Sequence, residues 1–202
     1  MSAQRVRWGN LTVPYTAMWT GEVEQREPAI ARVSIDGRTL RMLSEGVNAP
    51  GTGKPLFKVT HNDRVREVIL KRVCQMCMEP LPHRVVTFNQ AQVDQRRPLI
   101  SDGLPMCPHC ALEAFEACPG MQAQKERGQL RCWISPVGAW LHAPVVLGPR
   151  DPRDGGDERV NALIMKDRAL LYSGPKLVLT AWEGLTLDRL RETAAAAAPA
   201  VS

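Results

Sequence analysis

Two cysteine pairs constrain this chain more than any other feature. Cys74-Gln75-Met76-Cys77 and Cys107-Pro108-His109-Cys110 each place two residues between thiols, and residues 78–106 lie between the pairs. Such spacing lets both sulfurs of a tight turn or helix start reach one ion, and two pairs complete a tetrahedral four-sulfur site with zinc–sulfur distances of about 2.3 Å. A single pair would suit a redox dithiol. Two pairs point to one structural zinc held by Cys74, Cys77, Cys107 and Cys110. The other cysteines, Cys118 and Cys132, fall outside the pattern; Cys118 lies about 12 Å beyond Cys110 along a helix axis, so both are expected as buried core thiols.

What surrounds the pairs gives the site a shape. Asn62 or Asp63 is placed to cap a helix carrying Val65, Val68, Ile69 and Val73 at helical spacing into the first pair. Arg84 to Asn89 and Pro98 to Ile100 read as two short strands. Pro108 then opens a helix that ends at Pro119-Gly120, where a missing N–H costs nothing at the first turn. Knuckle, β-hairpin and helix in that order make a treble-clef-like element over residues 62–120. Met78 departs from the pattern, since glycine commonly follows the second cysteine of a knuckle, and a looser turn is expected there.

Elsewhere the chain reads as short antiparallel strands, giving an α+β fold. A β-rich part occupies 1–61, with strands at Leu11 to Thr20 and Ala29 to Ser34 and a hairpin over 29–44 whose turn is Asp36-Gly37. A third part over 121–193 holds strands at Leu130 to Ser135 and Ala139 to Leu147. It closes with a hairpin across Ser173-Gly174-Pro175 and a helix capped by Thr186. The alanine-rich tail 194–202 is expected to be disordered. The five tryptophans lie in apolar runs and read as core.

With 202 residues the chain is long enough to bury a core without cross-links, and six cysteines are too few for a disulfide scaffold. No leader of signal-peptide form and no apolar run near the roughly 20 residues of a membrane span is visible, so a cytoplasmic protein with no membrane partner is expected. Gly51-Thr52-Gly53-Lys54-Pro55 lacks the first glycine and the hydroxyl residue of a phosphate-binding loop and reads as a turn. Asp151, Asp154 and Asp157 are interleaved with arginines and lack the bidentate glutamate of a calcium loop. His83, Asn89 and His109 give the three letters of a metal-dependent HNH-like nuclease, but the paired Asp-His or His-His at the hairpin is missing and His109 lies between two ligands.

Charge gives a weaker lead. The formal net charge is +5, and 20 of the 26 basic residues are Arg, the side chain best suited to bidentate phosphate contact. The excess lies in residues 1–147, which hold 18 basic residues against 13 acidic. Four thiolates contribute −4 and one zinc +2, so a loaded site lowers the formal +5 to +3. Candidate contacts for nucleic acid or a protein partner are Arg64, Arg66, Lys71 and Arg72 on the outer face of the helix entering the knuckle, with Arg84, Arg96 and Arg97 beyond it.

The runs Arg64 to Cys77 and Leu104 to Ala114, continued to Cys118-Pro119, resemble a group of uncharacterised treble-clef-like four-cysteine zinc proteins of high-GC bacteria and their phages. The resemblance covers the two cysteine pairs and their flanking helices and brings no established activity. The expectation is a non-enzymatic, zinc-stabilised binding protein, of phage or mobile-element origin, that contacts nucleic acid or a host protein. The alternatives are an HNH-like nuclease and a structural component of a larger assembly.

Overall fold

The computed structural model describes residues 5–35, 37–89, 99–101, 103–148, 158–166 and 172–197. The chain opens with a minimal hairpin, β1 (Arg7–Trp8) and β2 (Leu11–Thr12), turning at Gly9 with φ of 57°. Pro14 then interrupts the extended run, so the strand expected over 11–20 is divided. β3 (Ala17–Trp19) follows, and α1 (Thr20–Glu24) takes its last residue plus four more. The hairpin expected at 29–44 forms as β4 (Ala29–Ile35) and β5 (Arg38–Ser44), in register from Ala29 opposite Ser44 to Ile35 opposite Arg38. Gly37 supplies the positive φ, 76°, that the two-residue turn requires.

β6 (Pro55–Thr60) pairs with β3, and α2 (Asn62–Lys71) follows at once. Neither Asn62 nor Asp63 caps it. His61 occupies the N-cap without a side-chain capping bond, its Nε2 meeting Val47 O at 2.5 Å, and the Asp63 carboxylate accepts from Ser44 Oγ at 3.0 Å and the Glu45 N–H at 2.7 Å.

β7 (Arg84–Asn89) and β8 (Leu99–Ser101) are both strands, but they do not form the expected hairpin. β7 pairs along its whole length with β9 (Arg131–Pro136), and β8 joins β11 (Tyr172–Leu179). Between β8 and β9 run α3 (Pro108–Ala117), the helix expected to open at Pro108, and α4 (Pro119–Glu126), which was not anticipated. Pro119 ends α3 and fills the first position of α4, so the two helices share Cys118 as a hinge residue.

β10 (Trp140–Val146) pairs with β11 and not with β9, the strand before it in the chain. β11 is one continuous strand, so no hairpin forms across Ser173-Gly174-Pro175. The register sets Pro175 opposite Pro144, which puts the two residues lacking an N–H on one rung beside a bulge. α5 (Glu158–Lys166) was not anticipated. β12 (Glu183–Gly184) adds to β9, and α6 (Leu187–Ala196) starts at Thr186, whose Oγ1 accepts from the Arg189 N–H. Ala194 is buried, so the ordered helix takes in the start of the tail expected to be disordered; residues 198–202 lie outside the described residues.

Period-two alternation gives the β7–β9 sheet two apolar faces. Val86 and Phe88 with Cys132 and Ile134 point to a core shared with the cysteines, Phe115 of α3 and Leu190 of α6. Val85 and Trp133 point to the opposite core with Ile69 of α2 and Leu179 of β11. The cysteine element therefore shares a core with residues beyond 120. Trp19 and Trp133 are buried, and Trp182 packs edge-on against Trp133 at 4.6 Å between centroids. Trp8 is 44% exposed, against the expectation of core placement, and the side chain of Trp140 lies outside what the structure describes. Among the described residues no helix is long and apolar enough to cross a membrane.

Candidate metal centre

α2 hands the chain to the first cysteine pair by a left-handed C-cap at Arg72, φ 52° and ψ 50°. A bridge between Val73 and Pro80 then closes the knuckle, inside which the Cys74 N–H donates to Glu79 O at 2.9 Å and the Met78 N–H to Cys74 O at 2.8 Å. Met78 adopts φ of 58°. The tight turn is thus kept without glycine, at a cost of about 1–2 kcal/mol for a side chain in that region.

The second pair is held against the first by backbone. The Gln75 N–H donates to Pro105 O at 3.2 Å, and Val86 and Met106 exchange both of their N–H bonds at 2.9 and 3.0 Å. Cys107 is the N-cap of α3 with Pro108 at its first position, which puts Cys110 in the first helical turn. The orphan N–H groups and dipole of that end favour negative sulfur. The Cys107 N–H points at Cys74 Sγ, 3.4 Å away.

The result brings Cys74, Cys77, Cys107 and Cys110 together with every pair of sulfurs within 4.8 Å. A tetrahedron with zinc–sulfur bonds of about 2.3 Å has sulfur–sulfur edges of about 3.8 Å. Cys74, Cys77 and Cys110 are buried and Cys107 is half-buried. Four thiols so crowded cannot titrate independently. Hydrogen bonds from Cys107 and then Cys110 lower the Cys74 thiol to about 7 and push Cys77 lower still. Cys110 is raised, first through its bond to Cys107. Cys107 is raised as well, since its contacts to Cys74 and Cys77 and its burial outweigh the lowering bond to Cys110. Four sulfurs so placed are a donor set that a soft divalent ion completes by displacing their protons. Among the described residues this is the one group of His, Cys, Asp and Glu side chains close enough to share an ion.

Several residues that spacing did not single out surround the sulfurs. Arg5 Nη2 lies 3.7 Å from Cys110 Sγ while its Nη1 donates to Glu113 Oε2 at 2.8 Å, and Thr12 Oγ1 donates to Glu113 Oε1 at 2.5 Å. Gln75, inside the first pair, accepts the Tyr15 N–H on its backbone oxygen at 2.7 Å. Its side chain accepts from Thr16 Oγ1 and donates to Leu104 O. Only the positions of Gln75 and Glu113, within and just after the pairs, marked them in the sequence; nothing local marked Arg5.

Cys132 is a buried core thiol on β9, pushed up to about 12 by burial. Cys118 is half-buried at the α3–α4 junction. His83 and His109 are both exposed.

The candidate basic face is largely consumed by ion pairs. Arg64 and Arg66 are not on the outer face of α2: Arg64 is fully buried against Glu22, and Arg66 is 8% exposed and bonded to Asp63 and Leu43 O. Lys71 is exposed but pairs with Glu67 at 2.7 Å, and Arg84 pairs with Glu183. Arg72 is exposed and makes no ion pair among the described residues. Arg96 and Arg97 lie outside the described residues, as do Asp151, Asp154 and Asp157. Gly51 and Gly53 adopt φ of 95° and 83° in the turn expected there. No family model matches the chain, and no curated protein or solved structure matches it.

Proposed function

We propose that the protein is a non-enzymatic, zinc-stabilised binding protein in which Cys74, Cys77, Cys107 and Cys110 hold one structural zinc. The convergence of four sulfurs within 4.8 Å, from a knuckle and a helix start joined through residues 78–106, carries this reading. All four positions are filled by thiolates, so the ion keeps no open place for substrate or water; the donor set is that of a structural rather than a catalytic zinc. A treble-clef-like element is supported by the knuckle and the helix opening at Cys107, with β7 paired to β9 in place of the expected hairpin.

The partner we propose is nucleic acid. Of the basic residues first considered, Arg72 remains unpaired among the described residues, and the β4–β5 ribbon adds exposed Arg32 and Arg38 without an acidic residue in either strand. Binding through these side chains predicts a log–log fall of affinity with salt, with a slope near −0.9 for each phosphate neutralised on duplex DNA. The test is fluorescence anisotropy with random duplex and single-stranded oligonucleotides at several salt concentrations, comparing the protein with Arg32→Ala/Arg38→Ala/Arg72→Ala. Weaker binding and a shallower slope in the triple variant are expected. No binding at low salt would overturn the nucleic-acid partner and favour a protein one.

A further inference from the structure

We propose that Arg5 is a positioning residue for the metal, and that the N-terminal segment 5–13 is a clasp whose docking and the retention of zinc form one coupled equilibrium. This rests on the zinc reading above. A zinc ion with four thiolates carries a net charge of −2, and in a site where three of the four cysteines are buried that charge needs a partner. The structure puts a guanidinium there. Arg5 Nη2 approaches Cys110 Sγ at 3.7 Å, and Nη1 is fixed by Glu113 Oε2 at 2.8 Å. Glu113 stands three residues after Cys110 on α3, on the same side of the helix. Its second oxygen accepts from Thr12 Oγ1, so one carboxylate grips both ends of the β1–β2 hairpin.

What holds this segment makes the coupling specific. Neither core cluster around the β7–β9 sheet contains a residue from 5–13; Val13 packs instead with Ala17 and Trp19, against which Val6 rests, and the Val13 N–H donates to Val6 O at 2.9 Å. The attachment of the hairpin to the cysteine element is therefore polar, through Arg5, Thr12 and Glu113. The sulfur charge strengthens it, and by reciprocity the docked arginine stabilises the metal-bound thiolates. The fork geometry matters, because one side chain must reach a sulfur and a carboxylate together.

The test uses the full chain loaded with zinc, measuring metal release to a chromogenic chelator for wild type, Arg5→Ala, Arg5→Lys and Glu113→Gln. Limited trypsin cleavage after Arg7 is followed in parallel with and without chelator. Release about 10- to 100-fold faster is expected for Arg5→Ala, the range usual for losing a partner outside the ligand sphere, with Arg5→Lys between it and wild type. Trypsin is expected to cut after Arg7 faster once zinc is removed, and equally fast in loaded Arg5→Ala. If wild type binds one zinc while the variants release it at the wild-type rate, the clasp is refuted and the zinc site stands. A wild type that binds no zinc refutes the zinc site itself. Should Arg5→Ala fail to fold, Arg5→Lys and Glu113→Gln carry the same comparison.

Discussion

Replacing Arg64 by Ala should destabilise the protein severely, because the side chain is the counter-charge of a carboxylate sealed in the interior. Arg64 and Glu22 are each 0% exposed, and they meet through two parallel bonds, Nη1 to Oε1 at 2.9 Å and Nη2 to Oε2 at 2.7 Å. Glu22 also accepts the N–H groups of Trp19 at 2.9 Å and Ala49 at 2.8 Å, while Arg64 donates to Ala17 O at 2.8 Å. The pair thus ties α2 to β3, α1 and the loop before β6. Removing the guanidinium leaves Glu22 charged and without its counter-ion, for which about 3–5 kcal/mol is the usual loss. That is a large share of a typical stability of about 5–15 kcal/mol. At about 2–4 °C per kcal/mol for a chain this long, the melting temperature should fall by roughly 6–20 °C. Urea unfolding followed by circular dichroism would measure it, with Arg64→Met, Glu22→Gln and the double variant closing a cycle. The double variant should be more stable than the sum of the single losses implies, since neither charge is then left alone. A loss under about 1 kcal/mol in Arg64→Ala is what an exposed pair gives, and would refute the burial of Arg64.

Two further outcomes follow from backbone and burial. Arg72→Gly should gain about 0.5–1 kcal/mol in the same unfolding assay, because its φ of 52° is relieved at an exposed C-cap where glycine is the favoured residue; a loss would mean that the Arg72 side chain is holding structure. Burial keeps the Cys132 thiol protonated to about 12, while an unfolded cysteine ionises near 8.5. The unfolded chain then binds fewer protons, so stability should fall above about pH 9 by up to about 1.4 kcal/mol per pH unit. The alkaline slope should be shallower in Cys132→Ala, and an identical slope would show that Cys132 is not the group titrating.

The sequence made legible whatever was encoded within a few residues. The cysteine spacing marked the four sulfurs that converge, Asp36-Gly37 marked the hairpin of β4 and β5, Pro108 marked the start of α3, and Thr186 marked that of α6. Long-range pairing was not encoded locally. β7 and β8 look like neighbours in sequence, yet each finds a more distant partner: β9 offers β7 apolar residues for both faces of their sheet, and β11 takes β8 on its edge and brings Leu179 to the core of Val85 and Trp133. The arginines of α2 misled for the same reason. Helical periodicity counts a charged residue as outward, but Glu22 lies 42 residues before Arg64, and only the fold brings the two together. Prolines carried two meanings: Pro119 both stopped one helix and began another, whereas Pro175 lies within a strand because Pro144 faces it. Arg5 had no sequence signal at all, since its role depends on the turn of β1 and β2 over the first turns of α3.

Zinc-edge X-ray absorption on the purified full chain, with the metal content fixed by elemental analysis, tests the central claim most directly. One zinc per chain with four sulfur neighbours at about 2.3 Å and no nitrogen or oxygen neighbour is the expected result. A chain that retains no metal, or a zinc whose shell includes nitrogen or oxygen ligands, would contradict a site made by Cys74, Cys77, Cys107 and Cys110.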